Sequence, residues 1–264
     1  MNNDNKLTDI QEQYNLLSKL EHYFRKELSL TPCIGAEVEF YIHGNINIDL
    51  LTQKIGRTVK KEKGKNQYEV DLLPSENLAL YAREINELRK LIIKSAAELG
   101  GIADFNSKPF ANDYGSSMHI HLNFLENNDV EKYAKILCHY VSENIRVFLP
   151  SKEDYLRLDS KFMAPTHISY GGNNRTVLIR IPDSRPKRLE HRLAAANADP
   201  IAVIYNILQS IKKGIENFEV IEPLAKTFGN ASDRQYALRK IQYPFRAIDT
   251  NTNLHGNLYT TKNL

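Results

Sequence analysis

Five stretches of this chain place carboxylates, imidazoles or guanidinium groups at every second position. In 34–42, IGAEVEFYI, Glu37 and Glu39 fall between Ala36, Val38 and Phe40. In MHIHLNF, His119, His121 and Asn123 alternate with Met118, Ile120, Leu122 and Phe124. In YEVDLL, Glu69 and Asp71 alternate with Tyr68, Val70 and Leu72. Arg180 lies between Ile179 and Ile181, and Glu190 and Arg192 fall two apart in RLEHRL. On one surface, several carboxylates raise one another's pKa unless cations hold them. Glutamates with a neutral imidazole form a donor set for a hard divalent ion, magnesium or manganese. Arginines suit phosphate or carboxylate. The chemistry implied is metal-assisted phosphoryl transfer. The plain alternative is that each polar face meets water, which suffices for any one strand. A solvated face usually carries lysine, serine and threonine, however, whereas this set is Glu, His and Arg.

Period-2 alternation is the signature of a strand with one face on a core. The strands must therefore share a sheet if Glu37, Glu39, Glu69, His119, His121, Arg180, Glu190 and Arg192 are to share a face. The other elements fit that picture. Residues 7–29 read as an amphipathic helix with Ile10, Tyr14, Leu17, Leu20 and Phe24 on one side. GRTVKKEKGKNQYEVDLL reads as two strands around a turn at Gly64, and Ser75 caps a helix over 76–99. Further helices are expected over 129–148, from Asp199-Pro200 to about 217, and over 231–241. The reading is an α/β (α+β) fold, a curved and mostly antiparallel sheet with helices on one face. One domain is expected over 1–264: a helix over 1–30, a core over 31–250 and a polar tail over 251–264.

The bulk properties are consistent with this. At 264 residues and 42% hydrophobic content the chain supports one substantial core. A net charge of +3 is too small to suggest nucleic acid. Cys33 and Cys138 have no metal-ligand or disulfide spacing and read as buried thiols of a reducing compartment. No apolar signal core opens the chain, and PIAVIYNIL is too short for a membrane span. The expectation is a soluble cytoplasmic protein with no nucleic-acid or membrane partner.

Taken in order, these segments resemble the catalytic domain of glutamine synthetase. GAEVEF is similar to that family's GxExEF strand, and Glu62 and Glu69 to its second carboxylate pair. KPF at Lys108 followed by GSSMHIH resembles its GSGMHxH segment. NNRTVLIRIP and KRLEHRL resemble its NRxxxxRIP and RxExR segments. The resemblance implies that Glu39, Glu62 and Glu69 hold one divalent ion and that Glu37, His119 and Glu190 hold another. It implies nucleotide contacts from His121, Asn123, Arg180 and Arg188. It assigns the transferring phosphoryl group to Arg175, the carboxylates of the amino-acid substrate to Arg157 and Arg192, and Gly115 to the same substrate subsite. Arg175 and Arg192 would be the catalytic side chains, with ATP as co-substrate.

Three departures from the family pattern matter. The small β-grasp domain expected before Ile34 is replaced by a helix. The flap sequence Glu-Ala-Pro reads Met163-Ala164-Pro165, so the family's base for ammonia is missing. The Asn-Gly before the metal histidine reads Tyr114-Gly115. The expectation is a ligase that forms an acyl phosphate, γ-glutamyl by resemblance, and passes it to an amine other than ammonia. Alternatives are a carboxylate kinase-like phosphotransferase and a non-catalytic nucleotide-binding paralogue. Without the β-grasp domain a monomer or small homo-oligomer is expected.

Overall fold

The computed structural model describes residues 2–126 and 129–243. Its first half runs α1 (Asn2–Glu27), β1 (Pro32–His43), α2 (Ile48–Ile55), β2 (Lys60–Lys61), β3 (Gln67–Ser75), α3 (Leu78–Glu98) and β4 (Ile102–Asp104). Then follow β5 (Met118–Phe124), α4 (Val130–Tyr140), α5 (Ile145–Phe148), β6 (Tyr170–Gly171), β7 (Ile179–Arg180), β8 (Leu189–His191) and α6 (Pro200–Glu216). The strands form one sheet in the order β2-β3-β1-β5-β8-β7-β6, with β4 paired to the end of β1. Every pairing is antiparallel except β6 with β7. The expected mixed fold with a mostly antiparallel sheet is thus the one observed.

The apolar residues of β1, β3 and β5 all face one way. Val38, Phe40, Val70, Met118 and Ile120 are fully buried. They meet helices α1, α3, α4 and α6, whose inward residues belong to the same continuous core. Asp199 caps α6 by accepting from Ile201 N, and Pro200 opens it, as the sequence indicated. No helix is long and apolar enough to cross a membrane among the described residues.

Several boundaries differ from the sequence reading. The cap of α3 is Asn77, which accepts from Leu80 N, while Ser75 Oγ accepts from Asn77 N one step earlier. Helix α2 was not anticipated, although Asn47 accepts from the backbone of Asp49 and Leu50 there. The helix expected over 129–148 breaks after Tyr140 into a 3-10 turn and the short α5, with Asn144 outside helical geometry at φ −118°. The helix expected over 231–241 does not form. Asn230 accepts from the backbone and hydroxyl of Ser232, Ala237 adopts φ +48°, and only a 3-10 turn covers Arg234–Tyr236. Beyond it the chain runs extended beside 166–168, bonded through Arg239 O and Ile241 N. Local side-chain bonds at 230–232 and the long-range pairing with 166–168 together defeat helix propensity there. The tail over 251–264 lies outside the described residues.

Candidate active site

The polar face of the sheet is set by register. Glu37 of β1 stands opposite His119 of β5 on one side and Asp71 of β3 on the other. Glu39 stands opposite Glu69. His121 and Arg180 both stand opposite Glu190 of β8. Residues scattered over more than 150 sequence positions thereby form one row across five strands.

Within that row two groups of ligand atoms lie within 4.8 Å of one another, Glu37–His119–Glu190 and Glu39–Glu69–His119. Glu37, Glu69 and Asp71 form a third. Ser117 sets the chemistry of the shared imidazole. Its backbone N–H and its hydroxyl both donate to Glu39 Oε2, each at 2.8 Å. The hydroxyl has one proton, so it accepts from His119 Nε2–H at 2.8 Å. His119 Nδ1 then faces Glu37 Oε2 at 3.1 Å and Glu190 Oε1 at 3.8 Å. A lone pair aimed at two carboxylates needs a positive charge between them, a proton or a metal ion.

Electrostatics agree. Burial pushes the Glu69 carboxyl up to about 10, and the charges of Glu37 and Glu39 add to the effect. Burial also raises Glu37, but the hydrogen bond to His119, the close approach of His121 and the charge of both outweigh it and hold it well below the ordinary range. Glu190 has no exposure. Burial opposes its ionisation, yet the charges of Arg192 and His119 win and bring it down to about 2. Arg180 and Arg192 each donate to one of its oxygens.

Arg192 directly follows β8, two residues after Glu190, whereas Arg157 comes from a separate turn over 153–157. The segment carrying Arg157 is pinned by buried Asp154, which accepts from Ser107 Oγ and from Ser151 N and Oγ. Arg157 donates to Ser116 O and Arg192 O, while its Nη1 is buried with no partner among the described residues. Gly115 packs so closely that a Cβ there would come within 2.6 Å of Arg157 Cβ. Arg157, Arg192, Gly115, Glu39, Glu62 and the exposed Arg175 line one cavity.

The remaining expected residues fall less evenly. Arg188 donates to His121 Nδ1 at 3.0 Å, and His121 Nε2 lies 2.9 Å from Glu37 Oε1 without hydrogen-bond alignment. Arg180 uses its other nitrogens on Asn173 Oδ1. Asn123 is half-buried beyond His121, opposite Cys33. Glu62 shares the cavity but joins none of the three ligand groups. Sequence reasoning missed Ser117 and Asp154. A serine two residues before the row's first histidine was the available sign of the former, and nothing local marked the latter.

The chain matches the family model for glutamine synthetase, catalytic domain, over residues 50–245. It is 29% identical to Escherichia coli gamma-glutamylputrescine synthetase over 172 residues, 59% of this chain and 36% of that one. It is 30% identical to Clostridium saccharobutylicum glutamine synthetase, covering 90% of this chain and 62% of that one. The structure of GmaS with ADP superposes with a TM-score of 0.73 at 19% identity, over 87% of this chain and 65% of that one, which shows the shared fold. The chain thus spans about a third to three-fifths of the length of these curated relatives. With the family model spanning most of its length and the fold shared, this chain belongs to the glutamine synthetase family, in that family's catalytic domain.

Proposed function

We propose that the protein is an ATP- and divalent-metal-dependent carboxylate–amine ligase that forms a γ-glutamyl phosphate and transfers the acyl group to an amine other than ammonia. The observation that carries this reading is the pair of ligand groups sharing His119, set beside the unpartnered Nη1 of buried Arg157. The residues fit a metal, because Glu69 and Glu39 stand opposite each other and His119 Nδ1 points at two carboxylates. Glu37, His119 and Glu190 would hold one magnesium or manganese ion and Glu39 and Glu69 another, with Glu62 reaching in from the same cavity. Such ions supply neutralisation of charge on transferring phosphoryl oxygens.

The chain's own side chains do the rest. Arg157 Nη1 and Arg192 offer a fixed pair of guanidinium groups for the carboxylates of glutamate. Arg175, exposed at the cavity edge, reaches the phosphoryl group. Arg188 and His121 form the phosphate side, and Arg180 joins them on releasing Asn173. Met163 at the mouth is a weak acceptor and takes no proton from an ammonium ion. The name of the Escherichia coli relative, a glutamylputrescine synthetase, supports an amine acceptor larger than ammonia.

The test is trapping. Protein, ATP, magnesium and glutamate with hydroxylamine should give ADP and glutamyl hydroxamate in equal amounts. ADP without hydroxamate would point to simple phosphoryl transfer, and neither product would leave a non-catalytic binding protein.

A further inference from the structure

The cavity mouth carries a feature that the family likeness does not supply. Tyr114 and Phe162 meet edge to face there, with ring centroids 5.4 Å apart, and Met163 lies beside them. Alone, two rings and a thioether would make a cage for an alkylammonium group. Here the chain's own lysines occupy it. Lys108 Nζ stands 3.8 Å from the centre of the Phe162 ring, and Lys161 Nζ stands 5.3 Å from it. Lys63 Nζ lies 5.9 Å from the Tyr114 ring and 2.9 Å from Met163 Sδ.

These lysines lack acidic partners. Among the described residues none of the three has a carboxylate within ion-pair distance. Lys108 donates to the backbone oxygen of Asp113, and the Lys63 ammonium donates to the Met163 sulfur. The nearby acids are turned to the backbone. Asp113 accepts from Lys65 N and Tyr114 N, Asp159 from Lys161 N, and Glu62 from Lys63 N. Lys108 and Lys161 stand behind the Phe162 ring, with the charges of Asp159 and Asp113 acting on Lys108. Of the three, Lys63 lines the cavity, and its ammonium covers the Tyr114 ring and Met163 with no carboxylate within ion-pair distance among the described residues.

We infer that the acceptor amine carries an anionic group, a carboxylate or its like, and that Lys63 receives that group at the mouth. This rests on the ligase reading above. A diamine would bring a second positive charge against Lys63 and find both rings covered by lysines. A plain alkylamine would leave Lys63 unpaired. An amino acid or related amine places its anionic end on Lys63 and its amine inward. The free amine's lone pair then forms the C–N bond, and the C–O bond to phosphate breaks. Phosphate leaves with that electron pair, and the proton shed by the nitrogen ends on it.

The experiment compares 4-aminobutanoate, butylamine and 1,4-diaminobutane, which share a carbon chain and differ in the charge of the far end. Amide product is followed by mass spectrometry with ATP, magnesium and glutamate, and kcat/KM is corrected for the free-base fraction. The anionic amine should exceed butylamine by about tenfold or more, the scale of one charge-assisted hydrogen bond, and the diamine should be poorest. Lys63→Glu should reverse the order of the anionic and cationic amines. Equal use of all three, preference for the diamine, or an unchanged ratio in Lys63→Glu overturns the inference. Hydroxylamine separates the two readings. Hydroxamate formed without the amine preference sinks this inference and leaves the ligase standing, whereas no hydroxamate sinks both.

Discussion

Glu39 and Glu69 stand directly opposite each other in the β1–β3 ladder, and each is only 8% exposed. Like charges so placed destabilise a sheet, more so away from water. The fold tolerates the pair by keeping a proton on Glu69, whose carboxyl is pushed up to about 10 by burial first and then by Glu37 and Glu39. A divalent ion would replace that proton.

Stability should therefore depend on pH and metal together. The folded chain holds a proton that the unfolded chain, with its carboxyl at 4.5, has lost, so stability falls as pH rises between those values. Buried His191 is pushed down to about 3 by burial and then by the charge of His119, so below 6.5 the unfolded chain gains a proton instead and the two slopes oppose. The net loss lies above about 6.5, at up to about 1.4 kcal/mol per pH unit. Without divalent ions the melting temperature should drop from about pH 7 to about pH 9 and recover with magnesium. Glu69→Gln should flatten both responses. A wild-type midpoint indifferent to pH and magnesium would show that Glu69 is not the proton store.

Glu190 separates stability from chemistry. Glu190→Ala leaves the guanidinium groups of Arg180 and Arg192 facing a cavity with no counter-charge, at a cost of about 3–5 kcal/mol. Glu190→Gln keeps the shape and should cost less. Denaturant titration reads both. Metal-dependent ATP binding, read by calorimetry, should vanish in Glu190→Gln and in Glu37→Ala. Unchanged affinity in those two would refute the metal assignment.

Gly115 tests the substrate arginine from behind. Gly115→Ala drives a Cβ to within 2.6 Å of Arg157 Cβ and 2.9 Å of Ser107 O, neither of which is the loose end of a side chain. The overpacking should cost about 1–3 kcal/mol of stability. KM for glutamate should rise with it, because Arg157 is displaced. A variant with normal KM would show that Arg157 does not grip the substrate.

Met163 predicts what the protein does poorly. It sits at the mouth in left-handed backbone, φ +57°, with Arg192 Nη2 reaching its carbonyl at 3.4 Å. Its thioether takes no proton, and losing a positioned base typically costs about 10²–10⁴-fold. With ATP, magnesium, glutamate and ammonium, glutamine should form slowly or not at all by mass spectrometry. Turnover of about 1–10³ per second would show that another group does the work.

The sequence by itself determined which residues share a face. Alternation in β1, β3 and β5 is a local property, because successive side chains of a strand point to opposite sides whatever lies next to it. Caps such as Asp199 were legible for the same reason, since the bond closes within two residues. Only the tertiary structure decided who meets whom along that face. Glu39 opposite Glu69 and His121 opposite Glu190 follow from strand order and register, and a slip of one residue would turn each row to the core. The helix expected over 231–241 gave way because its extended chain bonds to 166–168, some seventy residues earlier. Lys63 meets Met163 across a separation of 100 residues. Contacts of that span depend on how the whole sheet and its loops close, so no local pattern encodes them.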